Sequence, residues 1–182
     1  MNAEEFKQKL LPVHQKLFRL SVRFLGNIEE AEDAVQEVYL KLWNMRHKLF
    51  EINNVEAFAT TMTKNLCLDK LKARRTVPLD DQLQVISSRE SMVENPHQIS
   101  ENKDSISYVR IIIENLPEQQ KSMIILRDIE EYSFEEIQEI TGLDINYIRV
   151  NLSRARKQVR DELIKVHGYG NERNKTTSRE VL

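Results

Sequence analysis

The sequence predicts an all-α protein of two small helical domains joined by a flexible linker, the second a four-helix domain built on a helix-turn-helix. Three observations carry that expectation. Only four glycines and four prolines interrupt 182 residues, so few positions oppose a helix. Apolar residues recur at three- and four-residue spacing through both ends of the chain. Between the ends, Pro78, Pro96 and scattered serines occur without a sustained apolar period, which is the composition of a connecting segment. The boundaries that follow are a first domain over 1–76, a flexible acidic linker over 77–104, a second domain over 105–166 and a disordered tail over 167–182.

In the first domain, Phe6, Leu10, Val13, Leu17, Leu20 and Phe24 repeat at helical spacing, and Gly26-Asn27 ends that helix. A second helix is expected from Glu29 or Glu30 to about Leu49, and a third from Val55 to Arg75 with Asn53 or Asn54 as its cap. On the second helix, Ala31, Ala34, Val35, Val38, Leu42, Met45 and Leu49 form a sufficient core stripe. The other side gathers Asp33, Gln36, Leu40, Trp43 and His47. A tryptophan and a leucine opposite an adequate stripe predict a docking surface, since aromatic anchors concentrate at interface centres.

The second domain opens with Ile106, Val109, Ile112 and Ile113, and Leu116-Pro117-Glu118 restarts a helix, because proline suits the first helical turn. Met123, Ile124, Leu126 and Ile129 are assigned to core. Ser133 and Glu136 form a capping box, with Ile137 and Ile140 as the buried face of the helix that follows. Gly142 stops it and Asp144 caps the next, whose inner side is Ile145, Ile148, Leu152, Ala155, Val159 and Leu163. Its outer side carries Asn146, Val150, Ser153, Arg154 and Lys157, flanked by Arg149 and Arg156. Arginine forks match guanine edges and phosphates, so this is the chemistry of a helix that enters the major groove.

Charge distribution supports that reading better than the net charge of −2 does. From Ile145 to Lys165 six cations face only Asp161 and Glu162, while the linker is acidic. Local patches can therefore touch phosphate in a molecule that binds DNA weakly by itself. Stretched at ~3.3–3.6 Å per residue, a linker of this length reaches up to ~100 Å, enough for two domains to grip separate DNA sites.

Several classes are disfavoured. No run approaches the roughly eighteen apolar residues of a membrane span and the N-terminus is too polar for a secretory signal, so a cytoplasmic protein, not embedded in a membrane, is expected. Cys67 is the sole cysteine, which excludes an internal disulfide and a cysteine-based zinc site. His14, His47, His97 and His167 have no metal-ligand spacing, and no glycine-rich phosphate loop or nucleophile motif occurs. An enzyme, a cofactor, a bound metal and a small-molecule substrate are not expected.

Three segments in series, AEDAVQEVYLKLW, FATTMTKNLCLDKLKARR and LPEQQKSMIILRDIEEYSFEEIQEITGLDINYIRVNLSRARK, resemble the extracytoplasmic-function class of the sigma-70 family, the alternative sigma factors of bacterial RNA polymerase. The resemblance spans residues 5 to 165. It implies that the first domain binds core RNA polymerase and opens the minus-ten promoter element, with Asp33, Gln36 and Glu37 at polymerase-contacting positions beside Leu40 and Trp43. It also implies that the loop from Phe50 to Asn54 captures a base flipped from the non-template strand, which makes Asn53 and Asn54 minus-ten candidates. Lys64, Lys70, Lys72, Arg74 and Arg75 are the cations available to that opened strand. Asn146, Arg149, Val150, Ser153, Arg154 and Lys157 would contact the minus-thirty-five element, with Arg154 favoured for base-edge readout. An anti-sigma factor is an implied partner, in addition to promoter DNA and the polymerase. The competing expectation is a helix-turn-helix regulator whose N-terminal domain binds a signal or dimerises.

Overall fold

Gly26 and Gly142 both adopt the left-handed conformation, with φ of 69° and 70°, and each stops a helical run at the place its sequence context predicts. The structure, a computed structural model, describes the backbone of residues 2–75 and 101–177 and the side chains of residues 2–74 and 108–165. Among the described residues every regular element is helical, and the chain divides into two compact units.

The first unit holds α1 (Ala3–Leu10), a 3-10 turn (Leu11–Val13), α2 (His14–Leu25), α3 (Ile28–Asn44), a second 3-10 turn (Leu49–Glu51) and α4 (Val55–Arg75). Two of these differ from the sequence expectation. The single helix expected from Phe6 to Phe24 is broken at Leu11–Val13, because Pro12 stands in the 3-10 turn, where it supplies no N–H. α3 ends at Asn44 rather than near Leu49. Met45 leaves the helical region at φ −99° and ψ 14°, and Arg46 donates its Nη1 to the Trp43 carbonyl at 3.1 Å, satisfying a helix-terminal acceptor. The chain then turns back so that Leu49 still reaches the core, fully buried with Leu10, Leu17, Val38, Leu42 and Ala59. Each such leucine removed from water contributes roughly 1.5–3 kcal/mol, which sets how firmly the helices hold their outward faces.

The starts of α3 and α4 are fixed by short polar side chains. Asn27 accepts from the Glu30 amide at 2.9 Å, and Asn54 accepts from the Ala57 amide at 3.0 Å, so of the two candidate caps of α4 it is Asn54 that fills the position.

The second unit is built on α5 (Glu101–Glu114), α6 (Glu118–Ile124), a π-helical turn (Ile125–Ile129), α7 (Phe134–Thr141) as far as Gln138, and α8 (Ile145–Thr177). Its core collects Leu116, Met123, Ile125, Leu126, Ile137, Ile148, Leu152 and Ala155, and Pro117 stands immediately before α6. The capping box is present in both directions: the Glu136 amide donates to Ser133 Oγ at 3.1 Å and the Ser133 amide donates to the Glu136 carboxylate at 2.7 Å. Asp144 accepts from the Asn146 amide at 2.8 Å. The π turn was not anticipated from sequence. It ends with the Tyr132 amide donating to the Leu126 carbonyl at 2.9 Å and with Glu131 at φ 60°, a non-glycine residue in the left-handed region. α5 begins inside the span assigned to the linker, the rest of which up to residue 100 lies outside the described residues. α8 runs on to Thr177, across most of the span expected as a disordered tail; glycines there cost a helix roughly 1 kcal/mol each without forbidding it.

Candidate partner and nucleic-acid interfaces

α8 separates its residues as the sequence pattern requires. Ile148, Leu152 and Ala155 are buried, whereas Asn146, Arg149, Val150, Ser153, Arg154 and Lys157 are exposed. At 1.5 Å per residue these six span about 16 Å of helix, a length that fits within a major groove. Val150 is 47% exposed, an apolar contact suited to a thymine methyl group between cations. The neighbouring Arg156 is engaged elsewhere, on Asp128 of the π turn: the hydrogen bond to Asp128 raises its pKa, burial opposes this by less, and the charge of Asp128 adds a smaller rise. Arg149 lies over the Phe134 ring at 5.1 Å.

On α3, Asp33, Gln36 and Leu40 are exposed, Leu40 by 61%. Trp43 is at 37% exposure, less open than the docking-surface expectation implies. Phe6 of α1 meets its ring edge-on at 5.1 Å and 86°, and Arg46 stands 4.5 Å over it. Trp43 thus presents part of a ring whose orientation is already held. Tyr39, one turn before it, donates its hydroxyl to the Leu10 carbonyl at 2.5 Å, and burial pushes its phenol up to about 12. Phe6, Leu11, Tyr39 and Trp43 border a shallow apolar depression between α1 and α3.

Glu37 joins the two expected surfaces of the first unit. It accepts from Lys41 at 2.7 Å and lies 3.8 Å from Lys70 of α4, so a polymerase-contact candidate and a minus-ten candidate share one charge cluster. Asn53 and Phe50 are exposed in the loop before α4, Phe50 by 68%, and Asn54 caps the helix. Lys64 is half-buried on α4. Arg74 is held differently: its guanidinium pairs with Glu30 of α3 and donates to the Leu25 carbonyl of α2 at 3.2 Å. It clips α4 to the C-terminus of α2, where a cation also meets the negative end of the helix dipole. Arg46 and Phe134 were not singled out from sequence, while Phe6 was expected only as a core residue and Glu30 only as a possible helix start. Arg46 stands three residues after Trp43, a helical spacing that could have marked it; Phe134 lacks a local signal.

Among the described residues no three His, Cys, Asp or Glu side chains gather where a metal ion could be held, and no helix is long and apolar enough to cross a membrane.

Two helical units, the second a helix-turn-helix with an exposed cationic stripe, define a class of modular DNA-binding proteins. The comparisons narrow it. The family profile of Sigma-70 region 2 matches residues 12–77, and that of Sigma-70 region 4 matches residues 108–159, together well over half of the chain. The chain therefore belongs to the sigma-70 family of RNA polymerase sigma factors, in its extracytoplasmic-function class. It is 27% identical to the ECF RNA polymerase sigma factor SigE of Mycolicibacterium smegmatis over 150 residues, covering 82% of this chain and 58% of that protein. It is 25% identical to the ECF RNA polymerase sigma factor SigW of Bacillus subtilis over 158 residues, covering 81% of this chain and 83% of the relative. It thus spans little more than half the length of some curated relatives and most of others. Among solved structures, the sigma factor RpoE of Bartonella quintana, in complex with the anti-sigma factor NepR, superposes with a TM-score of 0.63 at 25% identity, covering 90% of this chain and 99% of that one. CnrH in complex with the cytosolic domain of CnrY shares the fold, with a TM-score of 0.61 at 16% identity over 89% of each chain.

Proposed function

We propose that this chain is an alternative sigma factor that binds core RNA polymerase and directs initiation at particular promoters. The observation that carries the reading is the exposed α8 stripe of Asn146, Arg149, Val150, Ser153, Arg154 and Lys157, in a chain that belongs to the sigma-70 family. In this reading the stripe enters the major groove of the minus-thirty-five element. The face of α3 with Asp33, Gln36, Glu37, Leu40 and Trp43 docks on the polymerase. Asn53, Asn54, Lys64 and Lys70 engage the opened minus-ten strand, and extruding a base there costs a few kcal/mol that the contacts must offset. Arg74, also expected among these from sequence, belongs with them in this reading, and its bonds to Glu30 and the Leu25 carbonyl fasten α4 as well. The protein acts in the cytoplasm, where its template and polymerase are, and the chemistry of transcription belongs to the polymerase rather than to a catalytic residue or cofactor of this chain. An anti-sigma factor regulates it, a reading supported by the RpoE complex with NepR.

The test is reconstitution. The purified full chain should associate with core polymerase and start transcription from a defined subset of a promoter library. Tight binding to a palindromic duplex without polymerase, together with no association with core, would instead establish a conventional regulator.

A further inference from the structure

Phe134 opens α7, and its ring lies beside two guanidinium groups from different elements. The Cζ atoms of Arg127 and Arg149 stand 4.8 and 5.1 Å from its centroid. Arg127 belongs to the π turn and is itself anchored, donating Nη1 to the Tyr132 carbonyl at 2.7 Å. The backbone beneath the ring is fixed by the reciprocal Ser133–Glu136 capping bonds. Arg149, by contrast, projects from the exposed side of α8. A long cationic side chain on a helix surface samples many rotamers, and that freedom is lost on binding. An aromatic face within cation–π range narrows the set beforehand, while the guanidinium keeps its N–H edge for hydrogen bonding.

We propose that Phe134 is a positioning residue for promoter recognition: its ring, clasped by Arg127, holds the Arg149 guanidinium in the orientation in which α8 presents it to DNA. This rests on the reading of α8 as the groove-facing helix. The residue is outside the stripe that touches DNA, so it acts through Arg149 alone. Removing the π face should therefore loosen one contact and leave those of Arg154 and Lys157 in place.

The experiment uses the full chain bound to core polymerase, on promoter duplexes in which each minus-thirty-five base pair is changed in turn. Phe134→Leu should weaken binding about two- to fivefold, as expected for a partly exposed cation–π contact. Phe134→Tyr should restore it. In an Arg149→Ala background, Phe134→Leu should add nothing. Side-chain 15N relaxation of Arg149 in the free chain gives a second readout that needs no DNA: the Nε–H should be ordered with Phe or Tyr at 134 and mobile with Leu. Additive losses, a Tyr variant as weak as the Leu variant, or equal Arg149 mobility in both would overturn the proposal. If Arg149→Ala weakens promoter binding but Phe134→Leu does not, only this inference falls. If Arg149→Ala itself changes nothing, the assignment of Arg149 to the DNA contact falls with it.

Discussion

Arg156 and Asp128 form a two-pronged ion pair, with Nε 2.9 Å from one carboxylate oxygen and Nη2 2.6 Å from the other. The planar fork of arginine matches a carboxylate in this way, and the pair ties the middle of α8 to the π turn. It takes Arg156 out of the α8 set, while Arg149, Arg154 and Lys157 stay exposed. Because the Arg156 side chain is 52% exposed and Asp128 29% exposed, solvent screens most of the attraction. Asp128→Asn and Arg156→Met, alone and together, should show a coupling of about 0.5–1 kcal/mol in denaturant titrations at low salt, shrinking as salt is added. A coupling of zero at low salt would remove the pair from the account of the second unit.

Glu37 gives the first unit a dependence on acid. Its hydrogen bond from Lys41 lowers its pKa below 4.5; burial opposes this and the charges of Lys41 and Lys70 add to it. The folded state therefore holds the proton less tightly than the unfolded chain. The stabilisation is present above pH 4.5 and is lost as pH falls through the lower, folded value. With the carboxylate 41% exposed, the amount should be only roughly a few tenths of a kcal/mol. Glu37→Gln should flatten that acid limb in urea unfolding measured between neutral pH and pH 3; an unchanged limb would show that other carboxylates dominate.

Docking and folding separate on α3. Leu40 and Gln36 are exposed, so Leu40→Ala and Gln36→Ala should shift unfolding by less than about 0.5 kcal/mol while weakening association with core polymerase. Trp43→Ala should weaken both, because it also removes the edge-on contact with Phe6, worth about 0.5–1.5 kcal/mol beyond its buried area. Polymerase affinity unchanged in a Leu40→Ala, Gln36→Ala double variant would place the docking surface elsewhere.

Arg154 and Lys157 should fail in different ways. A bidentate arginine–guanine pair contributes about 1–3 kcal/mol of discrimination, so Arg154→Ala should relax preference at one base pair. Lys157→Ala should weaken all promoters alike and lower the salt dependence of binding by about one unit of slope. Competition binding of the holoenzyme on single-base promoter variants distinguishes them. Equal losses on every sequence would take Arg154 out of base readout.

Much of this protein was legible without coordinates. The span of α4, the stop at Gly26, the Ser133–Glu136 box, the Asp144 cap and the buried and exposed sides of α8 all rest on residues within four positions of one another, where helical geometry alone decides who meets whom. The helix boundaries that departed from expectation have equally concrete causes. Pro12 carried the signal for the break after α1, but the apolar period running through it obscured that signal. The end of α3 depended on Leu49 finding the core after a turn, which no local pattern encodes.

What the sequence determined by itself was most of the helices, the Ser133 and Asp144 caps and the identity of the side chains on the outer face of α8, since those follow from spacing and from backbone groups that must be satisfied nearby. Tertiary structure decided which of the cations are committed: Arg74 to Glu30 and Leu25, Arg156 to Asp128, and Arg149 to the ring of Phe134. Those partners sit on other helices or turns, and only packing of the apolar faces brings them within reach.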